Sequence, residues 1–534
     1  YHLVNMLLHI GCGMLVYTLF AKLLKSPLMT DRKISDMDAA NSKTNYLPLF
    51  AALLFICHPL QTQAVTYIIQ RFVPLATFFY LAALVLYLEF RRASTSPLRA
   101  VLYGLSVMAT LLAMESKEIA FTIPVIIALI EFMFYRGAVT PRLVTLLPFF
   151  LMMAIIPAKL LQLPASFTSA KTDKITGAIN LINVGGVSSL DYLMTQFGVM
   201  TTYLRLLFVP INQKLDYDYP LQNNFFTPEV LLPLALLLGI AGLGFYLLRR
   251  SDENRLYKIA AFGIFWFFIT LSVESGIVPI EDLIFEHRAY LPSIGIIISL
   301  LAGASILFTR VTGRAIAHSK GTTILLLAIV SGLTITAIVR NTVWQDEVIF
   351  WKDNVLKSPN KARPHRWLGA ALLQQSREVP DTEDKQLTSE SLVMKAGAKH
   401  TVEAAINTLR DAIRINPANV ISYQLLAEAW MLLNNFDEAF RTLSKALDLD
   451  PRNGMTYSMR GALFEAKKET GRARQEYLTA LSLDPSFYEA RVRLAGIYKM
   501  EGDIQAAIKE LEFVMQIYPD PSVRKKLDVL KKGN

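Results

Sequence analysis

Long apolar runs alternate with short polar stretches over the first 340 residues, and the runs stop after that point. A helix of roughly 20 apolar residues is long enough to cross the hydrocarbon core of a bilayer. The spacing predicts ten membrane-spanning segments. They lie at about 1–24, 46–57, 72–90, 100–113, 119–135, 143–160, 229–248, 259–273, 290–309 and 322–340.

Lysine and arginine are concentrated in alternate loops between these segments. The basic loops are 25–45, 91–99, 136–142, 249–258 and 310–320. Because loops rich in Lys and Arg stay on the cytoplasmic side, we expect these five to be cytoplasmic. The opposite side then receives loops 58–71, 114–118, 160–228 and 274–289, together with everything after 341.

This alternation holds only if the stretch "DYLMTQFGVMTTYLRLLFVP" does not cross the membrane. The stretch carries Asp191, Gln196 and Arg205 between aromatic residues, which is typical of a helix that lies in the interface. We therefore predict an amphipathic interfacial helix at 191–209. The alternative is an eleventh span, which would place all later basic loops outside.

The second half of the chain has a period of 34 residues. Proline recurs at Pro417, Pro451, Pro485 and Pro519, and small, aromatic and aliphatic residues keep the same register. Small residues let two helices approach closely, and proline ends the second helix of each pair because it has no N–H to donate. A period of 34 with these columns predicts tetratricopeptide repeats.

The predicted fold class is therefore all-α, a polytopic membrane helix bundle at 1–340 followed by an α-solenoid at 341–534. The repeats are predicted at 418–451, 452–485 and 486–519, after an earlier one at 361–417 that contains an insertion near 376–396. A polar capping helix is predicted at 520–534. The insertion is rich in Ser, Thr, Asp and Glu, so we expect a mobile loop there.

Composition agrees with a membrane protein and argues against nucleic-acid binding. Only 18% of the residues are charged and the mean hydropathy is +0.36, whereas soluble domains carry about 25% charged residues. The net charge is +10, but residues 361–534 hold 26 Lys and Arg against 23 Asp and Glu. The excess thus belongs to the membrane half, where it sets orientation, and no basic cluster on a soluble face is evident. The two cysteines, Cys12 and Cys57, lie in apolar runs and form no disulfide framework.

Ionisable residues at a membrane boundary are costly unless they are paired or used. Four such clusters fall on the predicted outer side. Their candidate site residues are His58, Arg71, Lys117, Glu118, Arg205, Asp216, Asp218, Glu286, His287 and Arg288.

Each cluster also has a purely structural explanation. His58 fits a cap of the helix at Pro59, and Lys117 fits an ion pair with Glu118. Asp216 and Asp218 alternate with tyrosines and fit a solvated loop, and their spacing is only a weak signal for metal binding. Arg288 fits an interfacial anchor beside an aromatic residue.

Taken together, the cationic residues suit a phosphorylated lipid. Arginine grips phosphate in a bidentate fork, and a nearby carboxylate takes a proton from an incoming hydroxyl. The combination allows a group to be transferred from a lipid phosphate to an acceptor outside.

Several stretches, in this order and followed by the repeats, resemble the transmembrane-and-tetratricopeptide-repeat O-mannosyltransferases and their bacterial relatives, within the C-type glycosyltransferase superfamily. They are "YHLVNMLLHIGCGMLVYTL", "HPLQTQAVTYIIQR", "SKEIAFTIP", "YLRLLFVPINQKLDYDYP", "EHRAYLPSIG" and "NTVWQDEVIFWKDNVLKSPN". The resemblance covers nearly the whole chain. Its most specific parts are the Glu-x-Arg-x-x-Tyr-Leu-Pro element and the Ser-Lys-Glu turn.

The resemblance implies an eleven-span core, a polyprenyl-phosphate sugar donor and transfer to Ser or Thr hydroxyls of exported proteins. It implies catalytic acids in the loop after the first span, which we expect upstream of Tyr1. Of the residues present, Glu118 and Glu286 are the candidate bases. Arg288, Lys117, Arg71 and Arg205 are the expected donor-phosphate ligands, and His58, His287, Asp216 and Asp218 stay as other site candidates.

The predicted function is thus a membrane protein O-glycosyltransferase that moves a hexose such as mannose, with acceptor proteins bound by the repeats. No cofactor is expected apart from the lipid-linked donor, and a divalent metal is left open. We expect a bacterial inner-membrane protein with periplasmic repeats. The alternatives are a non-catalytic scaffold for envelope or pilus assembly and a transferase that acts from lipid to lipid.

Overall fold

The protein is all-helical over the residues described by the computed structural model, which are 2–30, 46–157, 187–280, 282–312, 320–377 and 389–532. Contacts divide the chain into two compact units, Tyr1–Gln345 and Asp346–Asn534. Most of the predicted insertion at 376–396, and most of the loops 25–45 and 310–320, lie outside the described residues.

The first unit is a bundle of apolar helices. Among the described residues, its helices of eleven residues or more are, in chain order, α1 His2–Leu24, α2 Leu47–Cys57, α3 Phe72–Arg92, α4 Ser96–Ser116, α5 Ile123–Phe134, α6 Val139–Met152, α7 Ser189–Phe208, α8 Pro228–Arg249, α9 Arg255–Leu271, α10 Tyr290–Thr312 and α11 Lys320–Thr342.

Each of the ten predicted spans coincides with a helix, but not all of these helices reach the length of a full span. Among the described residues, seven helices are long and apolar enough to cross a membrane. The number is eight if α2 and the turn Pro59–Thr66, bent by 51°, count as one span. Helices α5 and α9 are shorter, with 12 and 17 residues. The apolar run around α5 begins in a 3₁₀ turn, Glu118–Thr122, so its hydropathy overstates the length of the helix.

The loops of the bundle gather at two separate ends. At the first, which we call the basic end, Arg91 and Arg142 both pair with the fully buried Glu131 at 3.1 Å. Tyr87 donates to the other oxygen of this carboxylate at 2.8 Å. Two cations and a hydroxyl therefore compensate one buried charge, as a buried carboxylate requires.

Helices α9 and α10 cross where two glycines face each other. A Cβ on Gly263 would lie 2.2 Å from the carbonyl oxygen of Gly295, and a Cβ on Gly295 would lie 2.4 Å from that of Gly263. Small residues at such crossings let the two backbones touch. The crossing fixes how α10 sits against α9, and the candidate site lies where these two helices meet the opposite end.

This crossing carries a first prediction. We expect Gly295→Ala to lower the melting temperature of the purified protein, because the added methyl must push α9 away at a cost of about 1–3 kcal/mol. Gly303→Ala on the same helix is the matched control, since a Cβ there meets nothing within 4 Å. Alanine favours a helix more than glycine does, so the control should keep or raise the melting temperature. Equal melting temperatures for the two variants would contradict the tight crossing.

The second unit is a solenoid of paired helices. Its helices are α12 Glu347–Lys357, α13 Ala362–Arg377, α14 Ser389–Ile415, α15 Val420–Leu432, α16 Phe436–Leu449, α17 Gly454–Ala466, α18 Thr470–Leu483, α19 Tyr488–Glu501, α20 Ile504–Ile517 and α21 Pro521–Lys532. Ala439, Ala473 and Ala507, one predicted column, are all fully buried. A Cβ on Gly461 would lie 2.7 Å from the Tyr477 ring, so this small residue allows the close contact between α17 and α18.

Candidate functional site

The candidate site lies at the second end of the bundle, which we call the polar end. It is formed by the turns Pro59–Arg71 and Lys117–Thr122, by the loop 211–219, and by residues 272–288. Helix α7 lies across this end. Near its start Gln196 donates to the carbonyl of Leu283 at 2.9 Å, and near its finish the carbonyl of Leu207 contacts His58 at 2.9 Å. Both contacts join α7 to residues of the polar end, and its position in the membrane interface stays a prediction.

Lys117 is held at the polar end by a buried carboxylate. Helix α4 ends at Ser116, and the extended backbone of Lys117 points the side chain towards Glu274, which follows α9. The Lys117 ammonium lies 2.5 Å from Glu274 Oε1, and the two side chains are 13% and 3% exposed. Glu118 is exposed instead. The Lys117 partner is therefore Glu274 and not the neighbouring Glu118.

Two polar atoms at this pair have no hydrogen-bond partner within the part of the chain that the structure describes. They are Glu274 Oε2 and Ser275 Oγ, both buried. Unsatisfied buried polar atoms are uncommon in native proteins and call for an explanation such as a catalytic role or a bound group.

Arg288 is buried beside the same pair. Its side chain is 3% exposed and donates to the main-chain carbonyls of Asp282 at 2.9 Å and Leu283 at 3.4 Å. Glu274 and Asp282 supply negative charge nearby, but among the described residues no carboxylate forms an ion pair with Arg288. Arg288 also donates a hydrogen bond to the Tyr192 hydroxyl. A buried guanidinium that is held by neutral groups keeps capacity for an anion.

Tyr192 links the two cations. Its hydroxyl donates to the main-chain oxygen of Glu274 at 2.8 Å. Burial raises the pKa of Tyr192, and the neighbouring Arg288 guanidinium offsets part of the rise. Lys117, Glu274, Tyr192 and Arg288 thus form one buried group, which we call the Lys117–Arg288 cluster.

Glu286 is held by three hydrogen bonds from the loop 211–219. Its carboxylate accepts three hydrogen bonds, from Tyr217 Oη at 2.6 Å, from the Lys214 main-chain N at 2.7 Å and from Gln213 Nε2 at 2.9 Å. Burial and the adjacent carboxylate hold the pKa of Tyr217 well above its usual value, so the phenol stays protonated and donates. Glu286 therefore anchors the loop 211–219 to the start of α10.

His58 and His287 are both buried and both engaged with the protein. His58 Nδ1 accepts from the Leu60 main-chain N at 3.1 Å and caps the turn Pro59–Gln61. Its Nε2 then carries the proton that is donated to Leu207. His287 stacks on the Phe285 ring at 5.1 Å, and its main-chain N donates to Gln63 Oε1 at 2.7 Å. The structural explanation for His58 is the one that the contacts support.

The remaining predicted site residues lie outside the Lys117–Arg288 cluster. Arg71 is exposed, with its guanidinium 5.2 Å from the Phe72 ring. Arg205 is also exposed and donates to the carbonyl of Ile211 at 3.3 Å. In the loop 211–219 Asp216 is buried and Asp218 is exposed. Within the described ranges no three His, Cys, Asp or Glu side chains meet in a way that would hold a metal ion.

Sequence reasoning missed Glu274 and Tyr192. Glu274 follows the apolar run of α9 directly, in "LSVESG", so a carboxylate at a membrane boundary was the available signal. Nothing in the sequence spacing indicated that Lys117 would pair with Glu274 rather than with Glu118.

Comparisons with known proteins found a repeat family and two curated relatives. A tetratricopeptide repeat family model matches residues 420–453. The chain is 26% identical over 329 residues to the Caenorhabditis elegans protein O-mannosyl-transferase F38B6.6, covering 60% of this chain and 42% of that protein. It is 23% identical over 567 residues to the mouse protein O-mannosyl-transferase TMTC3, covering 93% of this chain and 56% of that protein. The chain thus spans about half the length of these relatives.

Among solved structures, the chain is similar to TTC0263, a tetratricopeptide repeat protein of Thermus thermophilus. The identity is 17%, with 37% of this chain and 94% of that protein covered and a TM-score of 0.28.

Proposed function

We propose that this protein is an integral membrane glycosyltransferase that moves a hexose from a polyprenyl-phosphate donor to Ser or Thr hydroxyls of exported proteins. The observation that carries the proposal is the Lys117–Arg288 cluster, which holds two cations and unsatisfied polar atoms at the polar end of a membrane bundle. The distant relatives named as protein O-mannosyl-transferases support the reaction class.

The cluster would act on the phosphate of the donor. As the acceptor oxygen forms its bond to the anomeric carbon, the bond from that carbon to the phosphate oxygen breaks, and the polyprenyl phosphate leaves with an additional negative charge. Arg288 and Lys117 would stabilise this charge, as preorganised donors do in a site of low dielectric constant. Glu274 would hold the Lys117 ammonium in place between turnovers.

The acceptor hydroxyl must also lose its proton to a base. Of the two candidates among these residues, Glu286 is committed to three hydrogen bonds, whereas Glu118 is exposed beside Lys117. We therefore keep Glu118 as a candidate base and assign Glu286 to positioning. An acceptor hydroxyl within hydrogen-bond reach of a carboxylate meets the geometric requirement for general base catalysis.

The polar end would face the non-cytoplasmic side, because the basic end carries the loops expected in the cytoplasm. In a bacterial inner membrane that compartment is the periplasm. The repeats would bind an extended acceptor segment and raise its effective concentration at the membrane.

A non-catalytic scaffold is the second candidate function, and the repeats favour it as much as they favour the enzyme. It gives no role to Arg288 or to the unsatisfied atoms of Glu274 and Ser275. A transferase that acts from lipid to lipid would use the same cluster but would give no role to the repeats.

The test is transfer by the purified full-length protein in lipid nanodiscs. Polyprenyl-phosphate mannose labelled with tritium and an unfolded secreted protein are the substrates, and labelled Ser and Thr are identified by β-elimination and mass spectrometry. The proposal expects label on the acceptor protein. Label on a lipid acceptor alone would support lipid-to-lipid transfer, and no transfer with any lipid-linked hexose would support the scaffold.

A substitution in the core of the repeats should separate the effect on acceptor binding from the effect on the transfer reaction. Leu426 is buried among Leu409 and Ala429, so we expect Leu426→Asp to unfold its repeat and to raise KM for a protein acceptor by about tenfold or more. The turnover of a short acceptor peptide at saturation should stay near that of the wild type. Ile421→Asp on the same helix is the control, since Ile421 is 51% exposed. Unchanged KM for the protein acceptor in Leu426→Asp would count against capture by the repeats.

A further inference from the structure

A cavity opens at the basic end of the bundle, near the C-terminal ends of α1 and α3. The residues that the proposed reaction uses lie at the opposite, polar end. The volume of the cavity is about 560 Å³, within the roughly 300–1,000 Å³ of typical ligand pockets. The C-terminal ends of α1 and α3 and the first turns of α4 form its walls. The lining residues are Tyr17, Thr18, Ala21, Lys22, Lys25, Glu89, Arg92, Ala93, Leu98 and Leu102.

The charge of the cavity is positive. Lys22 pairs with Glu89, so this cation is already compensated. Lys25 directly follows α1 and Arg92 is the last residue of α3, and both side chains are exposed. Neither forms an ion pair within the part of the chain that the structure describes. Two cations from separate parts of the chain, neither paired with a carboxylate among the described residues, therefore line one concave space. The N-terminal end of α4, which begins at Ser96, adds positive partial charge on the third side.

The apolar part of the cavity runs towards the membrane. Leu98 and Leu102 are one turn apart on α4, and Leu98 is 49% exposed. On the opposite wall Tyr17 lies five residues before Lys22 on α1 and is 46% exposed. Tyrosine is enriched at the level of the lipid headgroups. The cavity thus has a cationic rim at the end of the bundle and an apolar wall that continues along the spans.

This combination fits an amphiphile with an anionic head better than it fits a soluble anion. A free phosphate would need the cations alone, whereas an acyl chain would also cover Leu98 and Leu102. Basic pockets between membrane helices on the cytoplasmic side are a known way to bind anionic headgroups. We propose that the cavity binds the phosphate of an anionic phospholipid from the leaflet at the basic end, with Lys25 and Arg92 as its ligands.

The site would serve orientation and stability of the bundle and needs no catalytic step. The bound lipid would neutralise Lys25 and Arg92, two like charges that line the same cavity. It would also join α1, α3 and α4 at the point where the basic loops begin. The proposal stands on the cavity and its charges, so it does not depend on the reaction proposed for the polar end.

The experiment is native mass spectrometry of the purified full chain with phosphatidylglycerol or with phosphatidylcholine of the same acyl chains. The wild type is expected to retain one phosphatidylglycerol with an apparent affinity about tenfold above that for phosphatidylcholine. The double variant Lys25→Gln/Arg92→Gln should lower phosphatidylglycerol affinity by roughly 30-fold, the sum of two basic residues near the surface.

The matched control is Arg249→Gln/Arg250→Gln, which removes the same charge from the same end but outside the cavity. Both arginines are exposed, so this variant should keep the wild-type affinity. Equal loss in the two double variants would overturn the proposal, because the effect would then come from net charge alone. Equal retention of the two lipids would overturn it as well. Displacement of phosphatidylglycerol by inorganic phosphate in large excess would assign the cavity to a soluble anion and reject the lipid.

Discussion

Arg288→Gln is expected to reduce hexose transfer by roughly 100-fold or more while the protein stays folded. The guanidinium is buried, donates to two main-chain carbonyls and forms no ion pair among the described residues. Removing one preorganised donor from a developing anion costs about 10²–10³-fold in rate. The loss should appear in kcat as well as in kcat/KM, because the interaction strengthens as the phosphate leaves. Transfer from polyprenyl-phosphate mannose to an acceptor peptide measures it.

Two further variants test whether the loss of transfer is specific to the guanidinium of Arg288. Arg288→Lys keeps the charge but not the fork of donors, and we expect it to recover only part of the activity. Arg310→Gln lies at the basic end of α10, the helix that follows the turn of Arg288, and should leave transfer unchanged. In cells, mass spectrometry of glycopeptides from exported proteins should show the hexose lost with Arg288→Gln. An unchanged hexose load on these proteins would refute the enzymatic role of the polar end.

The Lys117–Glu274 pair carries the second large effect. Lys117→Met should lower the free energy of unfolding by about 3–5 kcal/mol, because it leaves a buried carboxylate without its cation. Transfer should fall as well, since Lys117 is one of the two cations of the cluster. Thermal unfolding in detergent and the transfer assay measure the two effects separately.

The double variant Lys117→Met/Glu274→Gln distinguishes structure from function. With both charges removed, the stability should return towards that of the wild type, since replacing a buried ion pair by groups of similar volume is often neutral. Transfer should remain low, because the cation that faces the phosphate is still missing. Recovery of both properties together would show that the pair is purely structural.

The architecture was largely accessible from the sequence. The period of 34 and the columns of alanine predicted the solenoid, and Ala439, Ala473 and Ala507 are buried as the repeat requires. Apolar runs located the helices of the membrane unit. The apolar runs overstated the length of α5, because hydropathy does not distinguish a 3₁₀ turn from an α-helix. Only the backbone geometry separates the turn Glu118–Thr122 from the helix Ile123–Phe134.

The site was accessible only in part. Cationic residues at a membrane boundary stand out in a sequence, and the structure brings Lys117 and Arg288 into one cluster. The partners of the carboxylates could not be deduced, because they depend on how turns from distant parts of the chain meet. Glu286 is 69 residues from Tyr217, and Glu274 is 157 residues from Lys117. A sequence shows the charge of such residues but not which of them is already satisfied.

The central claim is that the Lys117–Arg288 cluster holds the phosphate of a polyprenyl lipid. Photoaffinity mapping tests it most directly, with a polyprenyl phosphate that carries a diazirine on the isoprene unit next to the phosphate. We expect crosslinks on peptides that contain residues 112–123 and 272–290, with competition by unlabelled polyprenyl phosphate and loss of labelling in Arg288→Gln. Crosslinks spread evenly along the spans, or found only at the basic end, would contradict the claim.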